Sequence, residues 1–429
     1  MGDQTETVNT VEQLRSDVKS VIEDIAAELN IKEWDIDCKK QDFSGDNFLG
    51  EIIRAKIVPK NNNNSLKAIN LILKLAPQSA LTRGGIPINT FFRNEIAFYT
   101  KIVPIIMKLQ DDHKVPLNEC ILFPILYKGI LEEFKELMVM RDLSHDGYIL
   151  RDKKVPLDYE HLTMIVQNLA RLHAASFFLK EKDPELFKRC SQHLPKTVNY
   201  GDTFERMIVI MPGKVQPHIV NQANKLKLKS FGDAVVQNIH NYLDASLSDP
   251  YNVICHGDAW NNNMLFKYQV KNHPLSNVVF IDYQLSRMAS PVTDIAYLLC
   301  FSADLEVFEN RLKDILKTYY DTLETSLTRM SCSINKCYPK EIFKEHIKRF
   351  MGFGLMMGMC GISLILTDEG QQPNNTDDLV TQLDQGTYGA NISDLAVNRL
   401  NTLVDPLLKK NLNDIFPVLS GLRLRFIPF

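Results

Sequence analysis

The chain has 429 residues, 45% of them hydrophobic and 24% charged, which is ordinary globular composition and excludes wholesale disorder. Its 49 Lys and Arg stand against 52 Asp and Glu, a formal charge of -3, so no basic footprint for nucleic acid exists. A compact chain of this size buries about three quarters of its unfolded surface, enough for two lobes.

Met1 to Gln13 has no apolar run of a signal peptide, so a cytoplasmic location is expected. The eight Cys stand singly, with no C-x-x-C pair, which argues against a zinc site or a disulfide framework. Apolar residues at helical spacing predict an amphipathic helix over Val11 to Asn30. Glu51 to Val58 and Ala68 to Leu75 are β-rich runs joined by turn residues, which predicts an antiparallel hairpin. A helix follows over Thr90 to Val103, ended by Pro104, then a short strand at Leu137 to Leu143. From Leu157 helical periodicity dominates, as in Leu162 to Phe178 and Phe301 to Leu327, apart from a β island at Tyr251 to Ile281. Phe350 to Thr367 is uncharged and apolar and touches the length of a membrane span. Its glycines and the lack of any second such segment favour a core helix, so no membrane span is expected.

The segment that carries chemistry is Val253 to Phe266 (VICHGDAWNNNMLF) followed by Val278 to Gln284 (VVFIDYQ). Met264 to Tyr268 and Val278 to Ile281 should pair as an antiparallel hairpin, with residue 264 opposite 281 and 263 opposite 282. Asn263 and Asp282 would then offer oxygens to one hard divalent cation such as Mg²⁺. Asn261 and Asn262 rank below Asn263 as that ligand and replace it only if the register differs. Asp258 precedes Asn263 by five, the D-x-x-x-x-N spacing in which Asp accepts the proton of an attacking hydroxyl and Asn holds metal. His256 is assigned to orienting this catalytic loop, His173 to the core, and Asp294 to capping or anchoring a loop. Trp260 either walls an acceptor pocket or packs.

His256-Gly257-Asp258-x4-Asn263 with Asp282 resembles the aminoglycoside phosphotransferase and choline kinase superfamily. The fuller HGDAWNNNMLF, with IDYQ, LHAAS at Leu172 to Ser176 and DIAYL at Asp294 to Leu298, resembles its ecdysteroid kinase-like branch. The resemblance runs over roughly Phe43 to Phe416. It implies an α+β, two-lobed protein-kinase-like fold, with a β-rich N-terminal lobe and a larger, mainly helical C-terminal lobe. It also implies ATP as phosphoryl donor, Mg²⁺, and a small-molecule hydroxyl as acceptor: an ecdysteroid-like steroid, a xenobiotic or a glycoside, in an insect or other arthropod where detoxification is one use. Asp258 matches the catalytic Asp, and Asn263 and Asp282 match the metal ligands. Tyr283-Gln284 stands where protein kinases carry Phe-Gly.

Within that outline the period of two puts Lys74 on one face of Ile69 to Leu75, as a candidate for neutralising ATP phosphates. Glu95 lies in the middle of the apolar stripe formed by Phe91, Phe92, Phe98, Tyr99 and Ile102 and needs a cationic partner, which Lys74 supplies. The family pattern E-x-x-F-Y stands here as Glu95 to Tyr99. Ser44 to Gly50 lacks G-x-G-x-x-G, so a phosphate loop using Gly45 and Asn47 and a plain turn both remain open. Met138 to Leu143 matches the family's lobe connector, which makes Met140 and Asp142 candidates for meeting adenine. Expected boundaries are a helical extension over 1–42, a first lobe over 43–141 and a second over 142–429, with the catalytic loop at 254–266 and the metal-binding strand end at 278–284. A kinase-like protein that binds nucleotide or ligand without turnover is the alternative.

Overall fold

The computed structural model describes residues 15–40, 50–60, 67–196, 199–270, 273–366, 373 and 375–409. Helix α1 (Ser16–Glu28) occupies the described part of the first predicted helix. Strands β1 (Trp34–Lys40), β2 (Glu51–Pro59) and β3 (Ile69–Leu75) follow it. With β4 (Leu126–Ile130) and β5 (Leu137–Arg141) they form an antiparallel sheet in the order β1-β2-β3-β5-β4. The expected hairpin is present, with Glu51 opposite Leu75. Alternation decides its faces: Leu71, Leu73 and Leu75 are buried with Val18, Ile22 and Ile25 of α1, while Lys74 points the other way, toward the second lobe.

Between β3 and β4 run α2 (Ala80–Gly85), α3 (Ile88–Ala97) and α4 (Val103–Asp112). Pro104 does not end the predicted helix. A single π turn, Phe98–Ile102, joins α3 to α4, and Pro104 sits in the first turn of α4, where its missing N–H costs nothing. Helix α2 also ties the lobes together, because Asp377 Oδ1 accepts hydrogen bonds from the Ser79 and Thr82 hydroxyls, each at 2.6 Å.

The second lobe opens with β6 (Tyr148–Leu150) and α5 (Tyr159–Lys182), continues through α6 (Pro184–Ser191), α7 (Asp202–Val215) and α8 (Gln222–Leu243), and then reaches its strands. These are β7 (Val253–Cys255), β8 (Met264–Val270), β9 (His273–Phe280) and β10 (Arg287–Ala289). Strand β8 lies between β6 and β9, and β7 pairs with β10. The β8–β9 register differs by one from the symmetric expectation: Met264 faces Phe280, not Ile281, and the ladder carries an irregularity at Lys267/Tyr268. Asn263 and Asp282 are therefore not a cross-strand pair; the Ile281 N–H donates to the Asn263 carbonyl at 3.0 Å, and Asp282 comes one residue later.

Helices α9 (Pro291–Ser302), α10 (Leu312–Arg329), α11 (Ile334–Cys337), α12 (Lys340–Ile365), α13 (Thr376–Asp384) and α14 (Asp394–Lys409) complete the lobe. The expected continuous helix over Phe301 to Leu327 is interrupted after Ser302 and resumes through a π turn at Val307–Arg311. The apolar segment beginning at Phe350 is the buried half of α12, and among the described residues no helix is long and apolar enough to cross a membrane. Its glycines serve close packing on α9: a Cβ on Gly354 would lie 2.3 Å from the Ala296 carbonyl oxygen, and one on Gly361 would lie 1.5 Å from the Phe301 ring.

Gly354→Ala should lower unfolding free energy by about 1–3 kcal/mol, the usual cost of overpacking a tight contact. Gly213→Ala, which meets nothing within 4 Å in α7, should lose nothing. Urea unfolding of both variants checks the contrast.

Candidate active site

The cleft between the lobes is centred on the Lys74 ammonium, buried although it ends a flexible chain. It donates to Glu95 Oε2 at 2.7 Å, to Asp282 Oδ1 at 2.9 Å and to Gln284 Oε1 at 3.2 Å, so one cation joins β3, α3 and the turn after β9. Burial by itself would lower the Lys74 pKa, but the Asp282 and Glu95 carboxylates hold it above the ordinary lysine value. Burial pushes the Glu95 carboxyl up against the pull of Lys74. The predicted pairing of Lys74 with Glu95 is present, and Asp282 and Gln284 join it.

Asp282 is held with φ +64, a left-handed conformation unusual for a residue with a Cβ. That turn aims its carboxylate back at Lys74 and lays the Tyr283 ring against Phe98 of the π turn, with centroids 3.7 Å apart and planes 11° from parallel. Tyr99 meets the same ring edge-on at 5.7 Å. The E-x-x-F-Y pattern is thereby explained: the Glu takes the lysine, and the two aromatics pack on the residue after Asp282. Asn94 adds a hydrogen bond from its Nδ2 to the Gln284 carbonyl at 3.2 Å.

On the facing side, β7 runs into the loop that carries Asp258. Gly257 has φ +88, and a Cβ there would fall 1.9 Å from the Leu285 carbonyl oxygen, so only glycine fits. Asp294, in the first turn of α9, accepts the N–H of His256 at 2.7 Å and of Gly257 at 2.9 Å. His173 and Tyr319 extend this network, with His173 Nε2 3.2 Å from Asp294 and Nδ1 2.8 Å from the Tyr319 hydroxyl. Asp294 is thus a loop anchor, while the cap of α9 is Ser290. Burial works against the charge on Asp294, yet the His173 hydrogen bond and the Arg287 guanidinium hold its pKa below the usual carboxylate value.

His256 accepts the Asp258 N–H on Nδ1 at 3.2 Å and donates from Nε2 to the Ile281 carbonyl at 3.1 Å. Both bonds require the neutral ring, and burial lowers its pKa in agreement. With both nitrogens engaged, His256 positions the loop. Asp258 is buried; its Oδ2 accepts from Asn263 Nδ2 at 2.8 Å, and the Tyr297 hydroxyl binds its carboxylate. Burial, with the Asp282 charge behind it, pushes Asp258 up to about 6.

Asn263 gives its amide hydrogens to Asp258, which turns its carbonyl oxygen away from that partner; Asp282 has a second carboxylate oxygen besides the one on Lys74. A set of amide and carboxylate oxygens fits a hard cation such as Mg²⁺ better than a thiolate-seeking one. Asn261 is spent elsewhere, donating to the Asp152 and Val155 carbonyls at 3.1 and 3.3 Å. Trp260 is half-buried and packs on Phe301 with centroids 4.6 Å apart.

Met140 is buried on β5 opposite Ile72. Asp142 is engaged throughout: its N–H donates to the Asn70 carbonyl at 2.9 Å, and its carboxylate accepts from the Ser144 N–H at 2.9 Å and meets Arg54 at 3.4 Å. It has no N–H left for an adenine edge. Gly45 and Asn47 lie outside the described residues. Sequence reasoning missed Gln284, Tyr297 and Arg287. The last is fully buried and donates to the Gly257 carbonyl at 2.8 Å. Gln284 and Tyr297 lie within the quoted IDYQ and DIAYL patterns, but no spacing gives any of the three a role, since their partners come from distant segments.

The model of a family described as the ecdysteroid kinase-like family matches residues 44–332. No curated protein matches the chain. Among solved structures, the chain is similar to a GDP complex of wild-type aminoglycoside 2'-phosphotransferase-IIIa, at 11% identity and TM-score 0.43, covering 92% of this chain and 99% of that one. It is similar to a choline/ethanolamine kinase family protein from Mesorhizobium loti, at 11% identity and TM-score 0.41, covering 93% and 97%. It is also similar to an aminoglycoside phosphotransferase from Streptomyces rimosus in complex with ADP and streptomycin, at 12% identity and TM-score 0.35, covering 81% and 99%.

Glu95→Ala takes one of two carboxylates from the buried Lys74 ammonium and leaves Asp282 as its single counter-ion, so it should cost about 3 kcal/mol or more of stability. Gln284→Ala removes a neutral acceptor from the same ammonium and should cost less, about 1.5–3 kcal/mol. Chemical denaturation of the two variants checks the order, and a reversed order would show that Glu95 does not carry the lysine.

Proposed function

This chain belongs to the ecdysteroid kinase-like family, and from that premise we propose that it is a small-molecule kinase that transfers the γ-phosphoryl group of ATP to an alcohol hydroxyl. The observation that carries this reading is the pairing, across one cleft, of a lysine ammonium shared by Glu95 and Asp282 with an aspartate held by Asn263 and Tyr297. Phosphoryl transfer asks little covalent chemistry of a protein; it asks for charge stabilisation and positioning.

Each residue has a task in those terms. Lys74, oriented by Glu95, offers positive charge to the phosphates. Asn263 and Asp282 would hold Mg²⁺, which when bound neutralises charge on the transferring group. Asp258 accepts the proton of the attacking hydroxyl, with its carboxylate fixed by Asn263 and Tyr297, while His256, Asp294 and Arg287 hold the loop backbone that presents it. Met140 contributes apolar surface at the connector, where main-chain groups would meet adenine. The acceptor class suggested by the family is a steroid or a xenobiotic or glycoside bearing a free hydroxyl; the cationic choline type lacks support, because no aromatic cage is evident in the sequence.

Asp258→Asn should keep the fold and nucleotide affinity while losing turnover by on the order of 10²-fold or more, the loss expected when a general base is removed. Nucleotide titration and steady-state rates on the same preparation separate the two effects. Unchanged turnover in this variant would defeat the assignment of the base.

A further inference from the structure

Remote from the cleft, two thiols and a carboxylate converge where the end of α5 meets the turn between α10 and α11. Glu181 places Oε2 3.1 Å from Cys337 Sγ. Cys332 Sγ lies beside them, and the three donor atoms lie within 4.8 Å of one another. We propose that Glu181, Cys332 and Cys337 form a binding site for a borderline-soft divalent metal ion of the Zn²⁺ type, with a water as the fourth ligand.

The donors are fixed by backbone that cannot drift far. Ser331, with φ +56, turns the chain at the end of α10; the Cys332 N–H donates to Leu327 and the Cys337 N–H to Ser333, both at 2.9 Å. The next residue, Tyr338, stacks on Phe177 of α5 at 5.1 Å and contacts His346 Nδ1 through its hydroxyl at 2.9 Å. Tetrahedral Zn²⁺ with Zn–S near 2.3 Å needs sulfurs about 3.8 Å apart, within side-chain adjustment of the present cluster. Lys182 and Lys336 both rest on Glu181 Oε1 at 3.3 Å, which leaves Oε2 facing the sulfurs. Such outer contacts orient a carboxylate ligand.

Burial and the Glu181 charge hold the Cys337 thiol high, so without a metal both sulfurs stay protonated. Entry of the ion displaces two thiol protons to solvent, and no electron is transferred. The half-buried Cys337 and Glu181 give an approach from solvent. A disulfide would use the two sulfurs and leave Glu181 Oε2 facing them unused; a metal uses all three donors. Isolated cysteine spacing, read alone, speaks against zinc, because the third donor comes from a distant helix. The consequence is a clasp: next to Glu181, Lys180 donates to the carbonyls of Pro250 and Asn252 at 2.8 and 2.5 Å, on the segment that leads into β7.

The test is titration of the full, reduced and chelator-treated protein with Co²⁺, followed by Zn²⁺. One equivalent of Co²⁺ should give a thiolate charge-transfer absorption that Zn²⁺ abolishes. Cys337→Ser should remove that absorption, and Glu181→Gln should weaken binding by about 10- to 100-fold, as loss of a coordinating or orienting group does. Circular dichroism identifies any variant that fails to fold, in which case the Glu181 variant decides. No stoichiometric absorption, an absorption unchanged in both variants, or loss of two hydrogens with a Cys332–Cys337 crosslink formed in the presence of metal would each overturn the proposal.

Discussion

A lysine ammonium buried where two lobes meet is tolerated only if acceptors surround it, and much of this site follows from meeting that demand. Strand β3 delivers Lys74 by simple alternation. The acceptors must come from elsewhere, so α3 carries a carboxylate inside its apolar stripe and the turn after β9 carries another on strained backbone. The aromatic contact of Tyr283 with Phe98 and Tyr99 holds those two acceptor-bearing elements together. Charge, strain and apolar packing are thus one arrangement, and the residues proposed to meet the nucleotide are the same ones that join the lobes.

Packing far from the cleft reaches the second half of the site through α9. That helix presents Asp294 to the loop backbone and Tyr297 to the Asp258 carboxylate, so its depth in the lobe sets the height of Asp258. Its depth is set in turn by α12, whose glycines let the two helix backbones approach closely. A segment that reads in sequence as borderline membrane-like is, in the fold, the support for the loop that carries Asp258.

Much of this was legible in the sequence because it rests on local periodicity or fixed spacing: the hairpin carrying Lys74, Glu95 amid aromatics, the α+β two-lobed outline, and Asp258 five residues before Asn263. What failed was register and interruption. The β8–β9 ladder is not in the symmetric register, so Asn263 and Asp282 do not face each other, and Asp282 reaches the site through positive φ. Pro104 starts a turn instead of ending a helix because a π turn absorbs the offset. The contacts of Asp142 with Asn70 and Ser144 are ones that no spacing announces. The roles of Gln284, Tyr297 and Arg287 escaped for a related reason: their partners lie far away in the chain.

The most direct measurement of the central claim is Mg²⁺-dependent ADP release from ATP across a panel of ecdysteroids, other sterols, phenolic glycosides and choline, with Lys74→Met as the comparison. Release that requires both Mg²⁺ and a hydroxyl acceptor, and that is lost in a folded Lys74→Met protein, is the expected result. Equal release by that variant would contradict the role of the buried ammonium. Silence across the panel from a wild-type protein that still binds nucleotide would contradict the kinase and favour a ligand-binding protein built on the same frame.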